Sequence, residues 1–200
     1  MATGASGTGI GIEGGNAAVL TVLFTDIEGS TALTERLGDE LWVEVLSAHD
    51  AVVRQALRAH RGREVKTLGD GFVAVFGRAH QAVAAAHQLQ AGMAAVVVPG
   101  VPRGLSIRVG IHTGPVVYRH GDVLGRNVNV ARRIVSAASG GQILVSAAVK
   151  VLADQEGGLQ AGAPTTLRLR GIVEPQVVFD VSVPEAGAGN AARLRLVASG

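Results

Sequence analysis

Two aspartates stand at predicted ends of strands, where their carboxylates can converge. Asp26 ends a run of apolar and β-branched residues that predicts a buried strand, and Asp70 lies between Gly69 and Gly71 in a predicted hairpin turn. Two neighbouring carboxylates repel one another unless cations lie between them. Mg²⁺ favours one or two carboxylates, with phosphate oxygens and water completing its shell. The pair predicts a site for divalent cations in phosphoryl transfer. The alternative from the residues alone is a helix cap and a turn residue.

Two further groups of residues have the chemistry to bind phosphate and sugar. Gly29, Ser30 and Thr31 open a predicted helix, whose free backbone N–H groups suit a phosphate. Asn129 and Arg133 are four residues apart on a later predicted helix, so they share a face. An amide beside a guanidinium suits a ribose and a charged phosphoryl group. The alternative is that both side chains lie in solvent.

The elements that position these residues alternate between strands and helices. Strands are predicted at residues 18–26, 64–68, 72–76, 105–112, 116–119, 142–145, 165–170 and 177–183, with 105–112 and 116–119 paired around Gly114 and Pro115. Helices are predicted from Gly29 to Gly38, from an N-cap at Asp39 to about residue 60, and over 79–95 and 125–138. This order favours an α+β fold with helices on one face of a mainly antiparallel sheet.

The simplest match to this order is a ferredoxin-like β-α-β-β-α-β core with extra C-terminal strands. Strands one and three are central neighbours in such a sheet, which would bring Asp26 and Asp70 together. The Gly- and Ala-rich stretches 1–17 and 184–200 are predicted to be flexible tails around a single domain at 18–183.

The composition limits the classes of function. The chain has no cysteine, which excludes disulfides and thiolate metal sites and fits a reducing cytoplasm. The net charge of +2, the lack of a dense basic run and an aromatic content of 3% argue against nucleic-acid binding. No apolar stretch reaches the roughly 18 residues of a membrane span.

Five segments, in this order and at this spacing, resemble the catalytic domain of bacterial class III adenylate/guanylate cyclases. They are VLFTDIEGSTALTERLGDELW, VKTLGDGFVAVF, RVGIHTGPVV, GDVLGRNVNVARRI and LRLRGIVEPQVVFDV. The resemblance extends from about Val19 to Val183. The palm domain of diguanylate cyclases shares the fold and a metal-binding aspartate. Its glycine-glycine-acidic signature is missing from the hairpin, which here reads Leu68-Gly69-Asp70-Gly71.

The resemblance implies roles for individual residues. Asp26 and Asp70 match the family's two metal-binding aspartates, and Ile27 matches a residue whose backbone carbonyl binds one of two Mg²⁺ or Mn²⁺ ions. Lys66 and Asp122 match the pair that reads the edge of adenine.

The remaining matches concern the reacting groups. Asn129 matches the residue that positions the ribose, and Arg133 matches the one that holds the α-phosphate. Arg170 stands where the family often has a lysine that contacts the terminal phosphates. The implied reaction is the conversion of ATP to cyclic AMP and pyrophosphate by in-line attack of the ribose 3′-hydroxyl.

The resemblance also implies a homodimer with two shared sites, because the family assigns Lys66 and Asp70 to different sites. Two other functions stay open. A guanylate cyclase would want a hydrogen-bond donor at position 122 and an acceptor at position 66, the reverse of this chain. A regulatory domain that binds nucleotide without turnover is disfavoured by the intact aspartates, Asn129 and Arg133.

Three features depart from the family pattern or add to it. The segment between residues 117 and 122 lacks a longer arm that carries a phosphate-binding arginine in many members, and Arg119 is a candidate substitute. Arg132 replaces a usual Ala or Ser, so it either alters the fit of the purine or points to solvent. For His112, a packed strand histidine is favoured over a catalytic base.

Overall fold

The computed structural model describes residues 17–99 and 104–182, together with the backbone of residues 194–195. The tails predicted over 1–17 and 184–200 lie outside the described residues, except for Ala17 and residues 194–195. The described helices are α1 Ser30–Leu37, α2 Asp39–Ala59, α3 Ala79–Ala95, α4 Arg126–Ala137 and α5 Ala147–Glu156. The described strands are β1 Ala17–Ile27, β2 Arg63–Leu68, β3 Gly71–Phe76, β4 Val96–Val97, β5 Ile107–Arg119, β6 Asp122–Leu124, β7 Ile143–Ser146, β8 Thr165–Leu167, β9 Gln176–Asp180 and β10 Leu194–Arg195.

The main sheet has the strand order β2-β3-β1-β5-β7-β9-β8, and β6 pairs with β5 beside this path. The pairings are antiparallel except for β5 with β7. Strands β4 and β10 form a separate parallel pair. Within the main sheet, the order β2-β3-β1-β5 with α2 and α3 as connections is the predicted β-α-β-β-α-β core, and β7 to β9 are the extra C-terminal strands. The predicted α+β fold is therefore confirmed.

Helices cover both faces of this sheet, so the expected single helical layer is corrected. Side chains alternate between the two faces along β1. Leu23 packs into the core formed with α2, α3 and α5, whereas Phe24 packs with Ala131 and Val135 of α4 on the other face. Helix α4 fits closely because β5 has Gly110 at the crossing, where a Cβ atom would lie 2.3 Å from the Val135 nitrogen.

The predicted hairpin around Gly114 and Pro115 is wrong. Strand β5 continues through both residues, which lie opposite β1, and the chain reverses instead at His120 and Gly121 with positive φ angles of 51° and 80°. Gly114 has a packing role, because a Cβ atom there would lie 2.5 Å from the side chain of Asn127.

Several other boundaries differ from the sequence-based expectation. Asp39 is the first residue of α2 rather than its N-cap, a position that Gly38 takes. Helix α5 was not predicted, although the Ser146 hydroxyl caps it by accepting a bond from the Val149 nitrogen at 3.5 Å. The strand expected over 165–170 ends at Leu167. Within the described residues, no helix is long and apolar enough to cross a membrane.

The β2–β3 turn lies against the end of β1 through a tight backbone contact. A Cβ atom on Gly71 would lie 2.5 Å from the Thr25 carbonyl oxygen. The Phe72 nitrogen donates a buried hydrogen bond of 3.0 Å to the Thr25 hydroxyl. These contacts hold Asp70, the residue before Gly71, beside the end of the strand that carries Asp26.

We predict that Gly71→Ala lowers the free energy of unfolding by about 1–3 kcal/mol, because the added methyl group must displace backbone. Gly77→Ala, at the other end of β3, is the matched control. Its added Cβ would meet nothing within 4 Å, so the change should stay within about 0.5 kcal/mol. Urea unfolding of both variants measures the difference. Equal losses in the two would show that the contact with Thr25 is not the cause.

Candidate functional site

The two predicted metal-binding aspartates lie at the same end of the sheet, on neighbouring strands. Asp26 is the second-last residue of β1 and is partly exposed, and Asp70 forms the two-residue turn between β2 and β3 with Gly69. Arg108 lies directly across from Asp26 on β5, and its guanidinium donates to the Asp26 carboxylate. Asp70 has no hydrogen-bond partner among the residues that the structure describes. The Ile27 side chain is buried in the core, so only its backbone is available to a ligand.

The chemistry of these donors fits a hard divalent cation. Across residues 17–99 and 104–182 there is no group of three or more His, Cys, Asp and Glu residues that could enclose a metal ion. A cation at the two aspartates would therefore take further ligands from water or from a bound phosphate, as Mg²⁺ and Mn²⁺ commonly do. A site of this kind is completed by ligands from outside the protein.

The loop after Asp26 is fixed by contacts with two other connections. Gly29 adopts the left-handed conformation with φ of 66° and precedes α1, which begins at Ser30; Thr31 follows in its exposed first turn. The Gly140 nitrogen donates to the Glu28 carboxylate at 2.8 Å. The Glu28 nitrogen donates to the carbonyl oxygen of residue 106 at 2.9 Å. These bonds orient the predicted phosphate-binding residues at the end of the sheet that carries the aspartates.

Lys66 and Asp122 meet within one chain, although they are 56 positions apart. The Lys66 ammonium donates to the Asp122 carboxylate at 2.5 Å. Their side chains are 41% and 33% exposed, so a ligand can reach both. Asp122 lies on the β5–β6 ribbon, the hairpin of residues 116–124, and Lys66 lies on β2. A hydrogen-bond acceptor and a donor are thus side by side.

Asn129 lies in an open depression of about 620 Å³ at the start of α4. The depression is also lined by Gly125, Arg126 and residues 171–174. Arg126 and Glu174 form an ion pair of 2.5 Å within it. Arg170 is exposed just before this lining loop, and Arg133 is exposed one helical turn after Asn129.

Neither Asp26 nor Asp70 lines the depression that contains Asn129. Within one chain, the structure therefore collects the predicted site residues into separate groups. The aspartates lie at one end of β1, the Lys66–Asp122 pair joins β2 to β6, and Asn129 lies beside the loop that follows Arg170.

His112 links β5 to α4 and α5. Its Nδ1 lies 2.8 Å from the Ser146 hydroxyl, and its Nε2 lies 3.0 Å from the side-chain oxygen of Asn127. Burial lowers the pKa of His112, and the bond to Asn127 opposes this shift only in part. The Asn127 amide also donates to the Pro115 carbonyl at 2.7 Å. His112 is confirmed as a packed strand histidine that anchors the helix carrying Asn129.

The residues that depart from the family pattern lie on the surface of the chain. Arg119 is exposed beside the two-residue turn at His120 and Gly121, so β5 and β6 are joined without any longer arm. Arg132 is exposed on α4. Within a single chain its side chain points to solvent.

Sequence reasoning missed two arginines beside the predicted site residues. Arg108 is the cross-strand partner of Asp26, and Arg63 of β2 lies over the ring of Tyr118, with its Cζ atom 4.3 Å from the ring centroid. Both contacts depend on strand register and on the path of β5 and β6. No local signal in the sequence would have identified them.

Comparison with known proteins identifies relatives over most of the chain. The model of the adenylate and guanylate cyclase catalytic domain family matches residues 14–177. An uncharacterised protein of Mycobacterium tuberculosis is 33% identical over 174 residues, which are 86% of this chain and 44% of that protein. A receptor-type adenylate cyclase of Trypanosoma brucei brucei is 31% identical over 88% of this chain and 18% of its own length. The chain thus spans less than half the length of these relatives.

Solved structures of cyclases share the fold. The guanylyl cyclase Cya2 superimposes with a TM-score of 0.76 at 29% identity, covering 87% of this chain and 97% of that one. An adenylate cyclase of Trypanosoma brucei, solved in its monomeric state, gives a TM-score of 0.74 at 29% identity, covering 86% of this chain and 91% of that one. Both purine specificities occur among the relatives, so similarity alone assigns a nucleotide cyclase domain without its purine.

A buried histidine lies behind the turn that carries Asp70. His49 of α2 is fully buried beside Phe72, with a distance of 5.5 Å between ring centroids. Its Nδ1 lies 3.3 Å from Asp50, and its Nε2 has no hydrogen-bond partner within the described part of the chain. Burial lowers the pKa of His49 below the ordinary value of 6.5, and the charges of Asp50 and Asp70 oppose the shift only in part.

We predict that His49 makes the fold sensitive to acid. In the unfolded chain this histidine takes up a proton as pH falls through 6.5, while the folded chain keeps it neutral to lower pH. The free energy of unfolding should therefore fall below that pH, by at most about 1.4 kcal/mol per pH unit for each such group. Urea unfolding at about pH 7.5 and 5.5 measures this change. Between the two pH values, the free energy of unfolding should fall less in His49→Leu than in the parent chain.

His120→Asn is the matched control for His49→Leu, because residue 120 is an exposed turn position with φ of 51° that asparagine tolerates. This variant should keep the acid sensitivity of the parent chain. An equal loss in His49→Leu and the parent chain would show that another group causes the acid sensitivity.

Proposed function

Because the chain belongs to the adenylate and guanylate cyclase catalytic domain family, we propose that it is an adenylate cyclase that converts ATP into 3′,5′-cyclic AMP and pyrophosphate. The observation that carries the choice of purine is the Lys66–Asp122 pair. Adenine offers an amine as donor and a ring nitrogen as acceptor on one edge. A carboxylate beside an ammonium complements that edge, with each group forming one hydrogen bond.

The second candidate is a guanylate cyclase, favoured by the likeness to Cya2, which is a guanylyl cyclase. Guanine presents a carbonyl and an N–H on the same edge, the reverse of adenine. With guanine, Asp122 would face an acceptor and Lys66 would face a donor. Once the base covers these two groups, a mismatch of this kind leaves them unpaired and is strongly rejected. The residues of this chain therefore favour ATP.

Two divalent cations, Mg²⁺ or Mn²⁺, are proposed to bind at Asp26, Asp70 and the backbone carbonyl of Ile27. When bound, such cations supply positive charge that neutralises the triphosphate and lowers the pKa of the ribose hydroxyl. Arg108 pairs with Asp26 and orients its carboxylate at the end of the sheet. The backbone at residues 29–31 would contact the phosphates.

The other residues would fold the nucleotide and hold its charge. Asn129 is proposed to orient the ribose and Arg133 to stabilise the charge that develops on the α-phosphate. Arg170 would contact the terminal phosphates. Because nucleophile and leaving group belong to one molecule, correct orientation and charge stabilisation are the main tasks left to the protein.

We further propose that each active site is shared between two copies of the chain. The depression around Asn129 contains neither aspartate, which supports a site completed by a second copy. Lys66 and Asp70 flank the same turn, and an isologous two-fold interface would assign them to different pockets. One copy would give the aspartates, and its partner would give the purine-reading pair with Asn129 and Arg133.

We predict that two inactive variants restore each other's activity. Asp70→Ala and Arg133→Ala each remove an accessible side chain that forms no hydrogen bond in the described residues, so both should fold. Each should lower cyclic AMP production from ATP and Mn²⁺ by about 10²-fold or more. After subunit exchange in an equal mixture, half of the dimers are mixed and have one intact site. Activity should therefore recover to about a quarter of the parent value.

A mixture of Asp26→Ala with Asp70→Ala is the negative control, since both changes damage the same half of each site. That mixture should stay inactive. Product analysis by chromatography should find cyclic AMP rather than cyclic GMP when ATP and GTP are supplied equally. Cyclic GMP as the main product would refute the adenylate assignment. Mixed dimers without recovered activity would refute the shared site.

A further inference from the structure

The β5–β6 ribbon touches β2 through two polar contacts. In one, Lys66 of β2 pairs with Asp122 of β6 at 2.5 Å. In the other, the Arg63 guanidinium of β2 lies over the Tyr118 ring of β5, with 4.3 Å between Cζ and the ring centroid. Because both contacts join the same elements, each limits the distance that the other can adopt.

The ribbon reaches β2 because its inner side chains pack on the sheet face that α4 also covers. Val116, Tyr118 and Val123 of the ribbon share one apolar cluster with Val65 and Val73 of the β2–β3 hairpin. The two-residue turn closes the ribbon one residue pair beyond Tyr118, which pairs with Val123. This packing places the ring of Tyr118 where the Arg63 guanidinium meets its face.

The ring is the main partner of the Arg63 side chain. The Arg63 Nη2 atom is buried and has no hydrogen-bond partner in the parts of the chain that the structure describes. A guanidinium over an aromatic face is attracted by the negative charge of that face, and more strongly when water is excluded. An aliphatic side chain of similar volume would pack against the apolar cluster but would not attract the cation.

We propose that the stack of Arg63 on Tyr118 positions Lys66 and Asp122 and thereby sets the purine selectivity of the site. This inference rests on the proposed function, because it takes the base to bind between Lys66 and Asp122. When a base edge forms hydrogen bonds with both groups, their mutual bond is lost. The stack then remains to hold β2 and the ribbon at the spacing that both hydrogen bonds require.

Purine selectivity is the property that depends most strongly on the distance between Lys66 and Asp122. Hydrogen bonds weaken steeply when distance or angle departs from the optimum. Discrimination between adenine and guanine depends on a mismatched base leaving buried groups unpaired. If the distance between β2 and the β5–β6 ribbon can increase, water reaches the groups that a mismatched base leaves unpaired. The free-energy cost of binding the wrong purine then falls. Loss of the stack should therefore weaken ATP binding and admit GTP.

The test compares Tyr118→Leu with Tyr118→Phe. Binding of 3′-deoxy-ATP and 3′-deoxy-GTP, which cannot cyclise, is measured by calorimetry with Mn²⁺. In Tyr118→Leu the ratio of the two affinities should shrink by about tenfold. In Tyr118→Phe, which keeps the ring face, the ratio should stay within about twofold. An unchanged ratio in a folded Tyr118→Leu, or an equal loss in Tyr118→Phe, would overturn the proposal.

A second pair of variants tests the role of the Arg63 guanidinium, in case Tyr118→Leu does not fold. Arg63→Lys keeps a positive charge over the ring and should retain most of the selectivity, whereas Arg63→Met should lose it. Equal selectivity in these two variants would also overturn the proposal. The proposed function fails separately, if the parent chain makes no cyclic AMP or prefers GTP. In that case the ratio of the two binding affinities in the Tyr118 variants, compared with the ratio in the parent chain, still tests whether Tyr118 sets the selectivity.

Discussion

The contact between Gly71 and the Thr25 carbonyl is the constraint on which the candidate site depends. It allows the β2–β3 turn to lie against the end of β1, and the bond from Phe72 to Thr25 fixes it there. Asp70 is thereby held beside the strand end that carries Asp26. Two carboxylates in this arrangement repel each other, and Arg108 on β5, which donates to the Asp26 carboxylate, offsets part of that repulsion. The resulting negative end of the sheet is suited to cations that arrive together with a triphosphate.

Strand β5 connects this end of the sheet to the rest of the proposed machinery. Arg108 near its start pairs with the carboxylate of β1, and Gly110 in its middle lets α4 pack closely. His112 and the Asn127 side chain then fix the first turn of α4, on which Asn129 lies. The strand stays paired with β1 as far as Val117, and the β5–β6 ribbon then carries Tyr118 to β2. One continuous strand thus relates the groups proposed to bind the metals, the ribose and the base to each other.

The sequence predicted the elements whose signals are local. Hydrophobic periodicity gave α2, α3 and α4 to within a few residues, and the glycine-rich turn identified the β2–β3 hairpin. The sequence-based prediction was wrong where packing between distant parts of the chain determines the local structure. Gly114 and Pro115 resemble a turn, but Gly114 is needed to make room for Asn127, a residue on a different element. Likewise, pattern alone could not show that α4 covers the opposite face of the sheet, or that Arg63 reaches Tyr118, because both depend on packing between elements that are distant in the sequence.

The central claim is that two copies of the chain complete one another's sites around a metal-bound nucleotide. The most direct test is a crystal structure of the chain with Mn²⁺ and 3′-deoxy-ATP, with the manganese located by anomalous scattering. The account predicts manganese between Asp26 and Asp70 of one copy, with the adenine edge on Lys66 and Asp122 of the other. Manganese bound away from the two aspartates, or an adenine held by the same copy that binds the metal, would contradict it.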